Sequence, residues 1–149
     1  MSEKHKHILQ AKLEKLRETY SGLKKLQALT LLELENEYDK LWVVGFGFVV
    51  AIEAVVDIGQ EILSEINTKA ESYNMVLQKL SEHSVISAKL FDKTKGMTAF
   101  RNRLIHSYPS LDIEMVYTNL QERVDDFHEF IECAVAYIEA LRENDHFPK

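Results

Sequence analysis

Apolar residues recur along most of the chain at alternating intervals of three and four positions, which is the spacing of one face of an α-helix. The first such segment covers residues 3–29. Its apolar positions are Ile8, Leu9, Leu13, Leu16, Tyr20, Leu23 and Leu26. A second predicted helix covers residues 31–66, with Thr30 as its N-cap and Glu33 completing a capping box. Its middle is apolar on all sides, so we expect it at the centre of a helical bundle or in a subunit interface.

The second half of the chain continues the helical pattern. A short helix is predicted over residues 73–81, and Ser84 is the predicted N-cap of a helix over residues 85–107. Pro109 ends that helix, because the residue before a proline is forced out of helical geometry.

A last long helix is predicted up to residue 142, with Asp112 as its N-cap and a continuous apolar stripe. No segment shows the period of two that marks a strand, and the chain contains only five Gly and two Pro. We therefore predict one all-α domain over residues 1–149, with four long helices and one short helix in an antiparallel bundle.

Two glycines interrupt the most apolar helix. Gly45 and Gly47 each cost about 1 kcal/mol of helix stability relative to alanine. We expect close approach of another helix, from the same chain or from a two-fold mate, to compensate for this cost.

The amino-acid composition indicates the cellular compartment. Cys133 is the only cysteine, so no intrachain disulfide can form and a reducing, cytoplasmic location is predicted. The longest apolar run, residues 41–52, is shorter than the roughly 20 residues that span a bilayer. Glu53 and Asp57 follow it one turn apart, as a hydrogen-bonded buried pair or an interface pair would. We therefore expect no membrane partner.

Charge is unevenly distributed. The chain has a net charge of −6, but residues 84–108 contain five Lys or Arg side chains against one Asp, a local excess of +4. Such a basic strip, which includes Lys95, could hold phosphates, or it could be an ordinary solvated helix face. Metal binding is not expected, since Asp125 and His128 form the one pair with suitable spacing and no second pair accompanies it.

The densest group of reactive side chains lies at the end of the fourth predicted helix. It comprises Arg101, Asn102, Arg103, His106 and Tyr108. Arginine binds phosphate with forked donors, histidine transfers protons near neutral pH, and the tyrosine hydroxyl is expected to be exposed where the helix stops. Surface salt bridges from the two arginines, with the histidine capping a carbonyl, are the alternative interpretation.

Helix geometry separates the two most reactive positions. Tyr108 lies within about 20° of Arg101 around the helix axis, whereas His106 lies about 140° from Arg101. Either the helix distorts before Pro109, or a second copy of the chain completes the site. RNA cleavage without metal needs a base for the ribose 2′-hydroxyl, an acid for the leaving 5′-oxygen and cations for the phosphorane charge. A two-fold dimer would bring two histidines and at least two arginines into one cleft.

The octapeptide RNRLIHSY, residues 101–108, resembles the R-x4-H-x-Y motif of the HepT-like toxins in the HEPN superfamily. The resemblance covers most of the chain. Flanking segments that are similar to the family lie at residues 51–63, 72–87, 97–100 and 111–117. The resemblance implies a small helical bundle that dimerises, with both motifs lining a shared cleft, and a metal-independent ribonuclease without a cofactor that acts on tRNA or mRNA.

The same resemblance assigns roles to residues. Arg101 and His106 fall on the family's catalytic positions, and Asn102, Arg103 and Lys95 are candidates for binding RNA phosphates. A nucleotidyltransferase antitoxin, MntA, is implied as the partner in a type VII toxin–antitoxin system, and it would transfer AMP from ATP to Tyr108. Two alternatives remain: a non-catalytic nucleotide- or RNA-binding subunit that serves a nucleotidyltransferase, and a helical adaptor without an active cluster.

Overall fold

The structure, a computed structural model, describes residues 1–107 and 110–146, and only the backbone of residues 142–146. Within these residues all regular secondary structure is helical, and no strand occurs. The helices are α1 (Glu3–Leu26), α2 (Leu31–Asn36), α3 (Tyr38–Glu65), α4 (Tyr73–Glu82), α5 (Ala88–His106), α6 (Ile113–Glu122) and α7 (Asp125–His146). The all-α prediction and the four long helices, α1, α3, α5 and α7, are confirmed. The prediction of a single short helix is wrong, because two of the predicted helices are broken.

The first break divides the helix that was predicted over residues 31–66. The capping box of Thr30 and Glu33 is present as predicted. Glu37, however, has φ −118° and ψ 92°, which is outside helical geometry and separates α2 from α3. The break allows α2 to turn and bury Leu34 between α3 and α6. Lys40 stabilises the corner, since its Nζ lies 2.8 Å from Glu33 and 3.0 Å from Glu37.

The second break divides the last predicted helix. Asp112 caps α6 as predicted, by accepting a hydrogen bond from the Met115 amide. The chain then bends at Arg123, where two backbone bonds, of Asp126 to Arg123 and of Phe127 to Val124, each span three residues instead of four. Val124, which belongs to the predicted apolar stripe, is completely buried at this bend.

The predicted N-cap of the α5 helix is also wrong. Ser84 has a left-handed φ of 59° and belongs to the end of α4, where the Val85 amide donates to the Leu80 carbonyl over 2.9 Å. This hydrogen bond runs from an amide to the carbonyl five residues earlier, and it is the 6→1 bond of a Schellman motif, which ends a helix. The N-cap is instead Ser87, whose hydroxyl accepts from the Leu90 amide, so α5 starts three residues later than expected.

Helix α3 is the centre of the bundle, as predicted. It packs against α1, α4 and α5, and it runs antiparallel to α5, because Gly45 lies opposite Leu104 and Phe48 lies opposite Phe100. By length and mean hydropathy alone α3 could cross a membrane, but half of its most apolar 18-residue window is buried inside the bundle. That burial is typical of a core helix.

Close helix packing accounts for one of the two glycines discussed above. A Cβ at Gly47 would lie 2.9 Å from Leu23 of α1, so the expected approach of another helix is confirmed, and it comes from the same chain. A Cβ at Gly45 would make only an ordinary contact of 3.5 Å with Leu104. No contact within the described residues therefore requires glycine at position 45.

Candidate functional site

Arg101 is held in place by side chains from two other helices. Its Nε and Nη2 donate to Oε1 of Glu53 on α3 over 2.8 Å and 2.5 Å. Tyr73, at the start of α4, donates its hydroxyl to the other oxygen of Glu53 over 2.5 Å. The Arg101 guanidinium also lies over the Tyr73 ring, 5.2 Å from its centre. The three residues therefore form one unit, here called the Arg101 clamp, which fixes the guanidinium in one orientation.

The charges in the Arg101 clamp stabilise each other. Burial by itself raises the pKa of Glu53, but hydrogen bonds from Tyr73 and Arg101, together with the Arg101 charge, outweigh it and hold that pKa below its ordinary value. The hydrogen bond to Glu53, followed by burial, raises the pKa of Tyr73. At neutral pH the clamp is therefore a carboxylate, a guanidinium and a neutral phenol.

His106 lies on a different side of α5. It is the last residue of the helix, its side chain is exposed, and its ring makes no hydrogen bond or ion pair with any other described residue. Helix α5 continues without a break from residue 88 to 106, so the distortion considered above does not occur within it. The angular separation of about 140° between Arg101 and His106 is therefore kept.

The other predicted site residues lie around these two. Asn102 accepts a hydrogen bond from Nη1 of Arg101 over 3.1 Å, and Arg103 points toward the Met115 sulfur on α6. Lys95 is exposed on the first half of α5, where it pairs with Asp92. Tyr108, the predicted modification site, lies outside the described residues.

An exposed apolar surface adjoins the Arg101 clamp. It is formed by α3 and the end of α5, encloses a shallow cavity of about 450 Å³, and is called the apolar face below. It is lined by Trp42, Gly45, Phe46, Val49, Leu104 and Ile105. The side chain of Phe46 is 71% exposed and that of Trp42 is 59% exposed, although both lie on the central helix. Ile105 is one turn beyond Arg101, so the apolar face and the clamp are contiguous.

Sequence reasoning identified Arg101 but missed the residues that hold it. Glu53 was noted only as one member of a carboxylate pair with Asp57, whereas the structure pairs Asp57 with Lys12 of α1. Tyr73 was not singled out. The available signal was Glu53 itself, because a carboxylate directly after a 12-residue apolar run needs a cationic partner from elsewhere in the fold.

A sequence profile described as "Ribonuclease HepT-like" matches residues 9–134, which include Arg101 and His106. The chain belongs to the HepT-like ribonuclease family. RNA cleavage is the class of activity of that family.

Individual HepT relatives are distant in sequence. The "tRNA nuclease HepT" of Aphanizomenon flos-aquae is 19% identical over 139 residues, covering 93% of this chain and 95% of that protein. The "mRNA nuclease HepT" of Shewanella oneidensis is 28% identical over 89 residues, covering 56% of this chain and 64% of that protein.

The fold also matches a solved HEPN toxin. A structure of the tri-AMPylated HEPN toxin of Shewanella oneidensis in complex with MNT antitoxin superposes with a TM-score of 0.80 at 20% identity. The superposition covers 91% of this chain and 99% of that one. This likeness confirms the HEPN-like bundle that the sequence predicted.

Proposed function

We propose that the chain is the toxin of a toxin–antitoxin pair, a metal-independent endoribonuclease that cleaves cellular RNA at a site completed by a second copy of the chain. The observation that carries this proposal is the separation of Arg101 and His106 on an unbroken helix beside an exposed apolar face. One chain cannot easily place both groups on the same phosphate. Two chains can, if they meet at the apolar face.

The apolar face is suited to a second copy. Phe46, Trp42 and Ile105 are large, exposed and contiguous, and water contact with such a surface is unfavourable. A two-fold axis through this face would set α3 and α5 of one copy against the same helices of its partner. Because α5 contributes to the face, its C-terminal end in each copy would reach a common cleft.

The proposed reaction uses the RNA's own nucleophile. The ribose 2′-oxygen attacks the adjacent phosphorus, the bond from phosphorus to the 5′-oxygen breaks, and the products are a 2′,3′-cyclic phosphate and a free 5′-hydroxyl. His106 of one copy would take the 2′-hydroxyl proton, and His106 of the partner would deliver a proton to the leaving oxygen. Arg101, pre-oriented by its clamp, would stabilise the phosphorane charge. Asn102, Arg103 and Lys95 would bind neighbouring phosphates.

We propose further that a nucleotidyltransferase antitoxin inactivates the toxin by transferring AMP from ATP to Tyr108. The AMPylated Shewanella relative supports this proposal. Each AMP would add a negatively charged phosphodiester two positions after His106 in the sequence, and such a charge would neutralise cations of the site and exclude RNA. Intact-mass measurement of the toxin made together with its antitoxin tests the proposal. AMP additions that disappear in Tyr108→Phe are expected, and additions that persist in that variant contradict it.

The ribonuclease proposal is tested by cleavage of total tRNA and mRNA in EDTA. Arg101→Ala and His106→Ala should each lose about 100-fold in rate or more. The matched controls are Arg17→Ala, which removes an exposed arginine of α1, and His83→Ala, which removes the exposed cap of α4. Both should cleave as the unaltered protein does. Intact RNA with the unmodified protein, or full activity of His106→Ala, would refute the proposal.

Sharing of the site between copies has its own test. His106→Ala protein is added in large excess to the unaltered protein, and the subunits are exchanged so that nearly every unaltered chain lies in a heterodimer. If cleavage uses His106 of both copies, such a heterodimer holds only one of the two histidines, and the activity per unaltered chain should fall about 100-fold. If the activity per unaltered chain does not fall, the site is not shared in this way. Tight nucleotide binding without RNA turnover would instead favour a non-catalytic binding subunit.

A further inference from the structure

A second groove, of about 570 Å³, lies on the opposite flank of α5 from the Arg101 clamp. It is bounded by α5, α6 and the start of α7. Its floor is apolar and largely aromatic. The floor is built from Phe48, Met97, Phe100 and Phe127. A flat apolar group could therefore stack or pack inside it.

The groove contains a buried carboxylate that is not fully hydrogen-bonded within the fold. Asp126, in the first turn of α7, lines the groove and is only 7% exposed. Its Oδ2 is closed off from solvent and has no hydrogen-bond partner among the described residues, so a ligand reaches this oxygen only if the side chain turns toward the groove. Burial raises the pKa of Asp126, although the charges of Arg123 and Lys93 oppose that rise. A buried acceptor without a donor is costly to keep, so a ligand with N–H groups is the natural partner for Asp126.

The same groove has a small excess of positive charge. Lys93, Arg103 and Arg123 line it, together with the carboxylates of Asp92 and Asp126. Lys93 is paired with Glu129 and the charge of Arg123 acts on Asp126, whereas Arg103 forms no ion pair with another described residue. The lining thus has one cation more than it has carboxylates, which favours an anionic group beside Arg103. The ligand should therefore combine a flat apolar body, N–H donors and a negative charge, which is the chemistry of a nucleotide.

The groove leads toward the proposed reaction centre. Gly96, Ala99 and Arg103 occupy one face of α5, at intervals of three and four residues. The next position in that row is His106, one turn beyond Arg103. An RNA strand whose phosphate lies at His106 would thus have a neighbouring nucleotide beside the groove.

We propose that this groove is a base-binding pocket for RNA, in which the base of a nucleotide next to the cleaved phosphate packs on the aromatic floor and donates N–H hydrogen bonds to Asp126. Arg103 and Arg123 would hold the adjoining phosphate. Guanine fits best, because its N1–H and N2–H donors are adjacent and match a carboxylate. Uracil fits worst, because carbonyl oxygens flank its one N–H on both sides. This inference rests on the proposed ribonuclease function.

Binding of mononucleotides tests the pocket without any RNA cleavage. GMP and UMP are titrated into the full chain by calorimetry, and GMP should bind about tenfold more tightly. Asp126→Asn should abolish this preference while UMP affinity stays the same. Equal affinities for GMP and UMP in the unaltered protein, or no binding of GMP at all, would overturn the proposal.

A glycine in the groove offers a blocking variant. A Cβ at Gly96 would meet no atom within 4 Å, so a larger side chain begins there in open space, and Gly96→Leu should fill part of the groove. Gly22 of α1 is equally open and lies outside the groove, which makes Gly22→Leu the matched control. Gly96→Leu should weaken GMP binding about tenfold or more, and Gly22→Leu should not change it. Unchanged GMP binding in folded Gly96→Leu contradicts the pocket.

RNA cleavage separates failure of the pocket from failure of the proposed function. Oligonucleotides that differ only by G or U beside the cleavage point are compared in the unaltered protein and in Gly96→Leu. Cleavage that shows no base preference in either protein refutes the pocket and leaves the ribonuclease proposal intact. GMP binding in the groove without cleavage of any RNA refutes the ribonuclease proposal and, with it, the assignment of the groove to an RNA substrate.

Discussion

Arg101 and Glu53 are joined by two hydrogen bonds from one guanidinium to a single carboxylate oxygen, across the antiparallel helices α3 and α5. A charge-assisted pair of this kind restricts rotation of a side chain that otherwise has many rotamers. Tyr73 adds to the restriction, by holding the second Glu53 oxygen and by lying under the guanidinium. The clamp thus holds a flexible cation in one orientation.

Glu53→Gln should lower the rate of RNA cleavage about tenfold or more, because the charged partner that orients Arg101 is lost. The amide keeps the shape of the carboxylate, so the fold should remain intact. We expect kcat to fall more than KM rises, since orientation matters most in the transition state. The rates are measured on a single RNA oligonucleotide. Tyr73→Phe, which retains the ring under Arg101, should have a smaller effect. Faster cleavage by Glu53→Gln would mean that Glu53 restrains Arg101 instead of positioning it.

Phe46→Glu should convert the protein to monomers and abolish cleavage, because a charge at the centre of the apolar face opposes its burial by a second copy. Phe46 contributes little to the folded monomer, as it is 71% exposed, so the helical content should not change. Sedimentation velocity gives the assembly state and circular dichroism the helical content. Met75→Glu on α4, another exposed apolar position, is the control and should stay dimeric. An unaltered protein that sediments as a monomer contradicts the shared site.

Structural features that depend only on residues close together in the sequence, such as two of the helix caps, were predicted correctly. The Thr30 and Glu33 capping box and the Asp112 cap are formed within one helical turn, and both were predicted correctly. The breaks at Glu37 and Arg123 were not predicted, because they depend on how distant helices pack. Helix periodicity continues through both positions, and only the burial of residues such as Leu34 in the assembled bundle decides that the chain must turn.

In the candidate site, too, one part could be predicted from the sequence and another part could not. The motif containing Arg101 and His106 is contiguous and could be found from the sequence, and the angle between these residues followed from the helical repeat alone. Glu53 and Tyr73 lie 48 and 28 residues earlier in the chain, and only the fold brings them to Arg101. Asp126 is likewise an ordinary acidic position in the sequence, and its isolation becomes visible only when the bend before α7 buries it.

The N-terminal helix should depend on pH through His5. Its ring nitrogens contact Glu61 and Glu65 of α3. Burial by itself lowers the pKa of His5, but the hydrogen bonds and charges of Glu65 and Glu61 outweigh it, and the pKa is raised above its ordinary value of 6.5. A raised folded-state pKa means that the protonated ring stabilises the fold below pH 6.5. That contribution is lost as the pH rises through the folded-state pKa.

The test is the difference in unfolding free energy between the unaltered protein and His5→Gln, measured in urea at one protein concentration. The difference should be largest near pH 6 and should shrink as the pH is raised. His7→Gln, two residues later on an exposed part of α1, is the control and should show no such trend. A pH-independent difference for His5→Gln would contradict the ion pairs that hold α1 to α3.

Gly59 is required by the approach of α4 to α3, and Gly59→Ala should destabilise the protein. A Cβ at this position would lie 2.6 Å from Cγ1 of Val76 and 2.9 Å from Cδ1 of Leu80. Valine has little rotamer freedom in a helix, so the clash should cost near the upper end of the roughly 1–3 kcal/mol expected for overpacking. Alanine regains about 1 kcal/mol of helix propensity, which leaves a net loss of about 2 kcal/mol.

Gly22→Ala provides the matched control for this loss, since a Cβ at Gly22 meets no atom within 4 Å. It gains the helix propensity without the clash and should raise the unfolding free energy by roughly 0.5–1 kcal/mol. Thermal unfolding of both variants at equal concentration should therefore shift the midpoint in opposite directions. A Gly59→Ala protein as stable as Gly22→Ala would mean that α4 can move away from α3 at little cost. Tyr73, which begins α4, would then be a weak anchor for the Arg101 clamp.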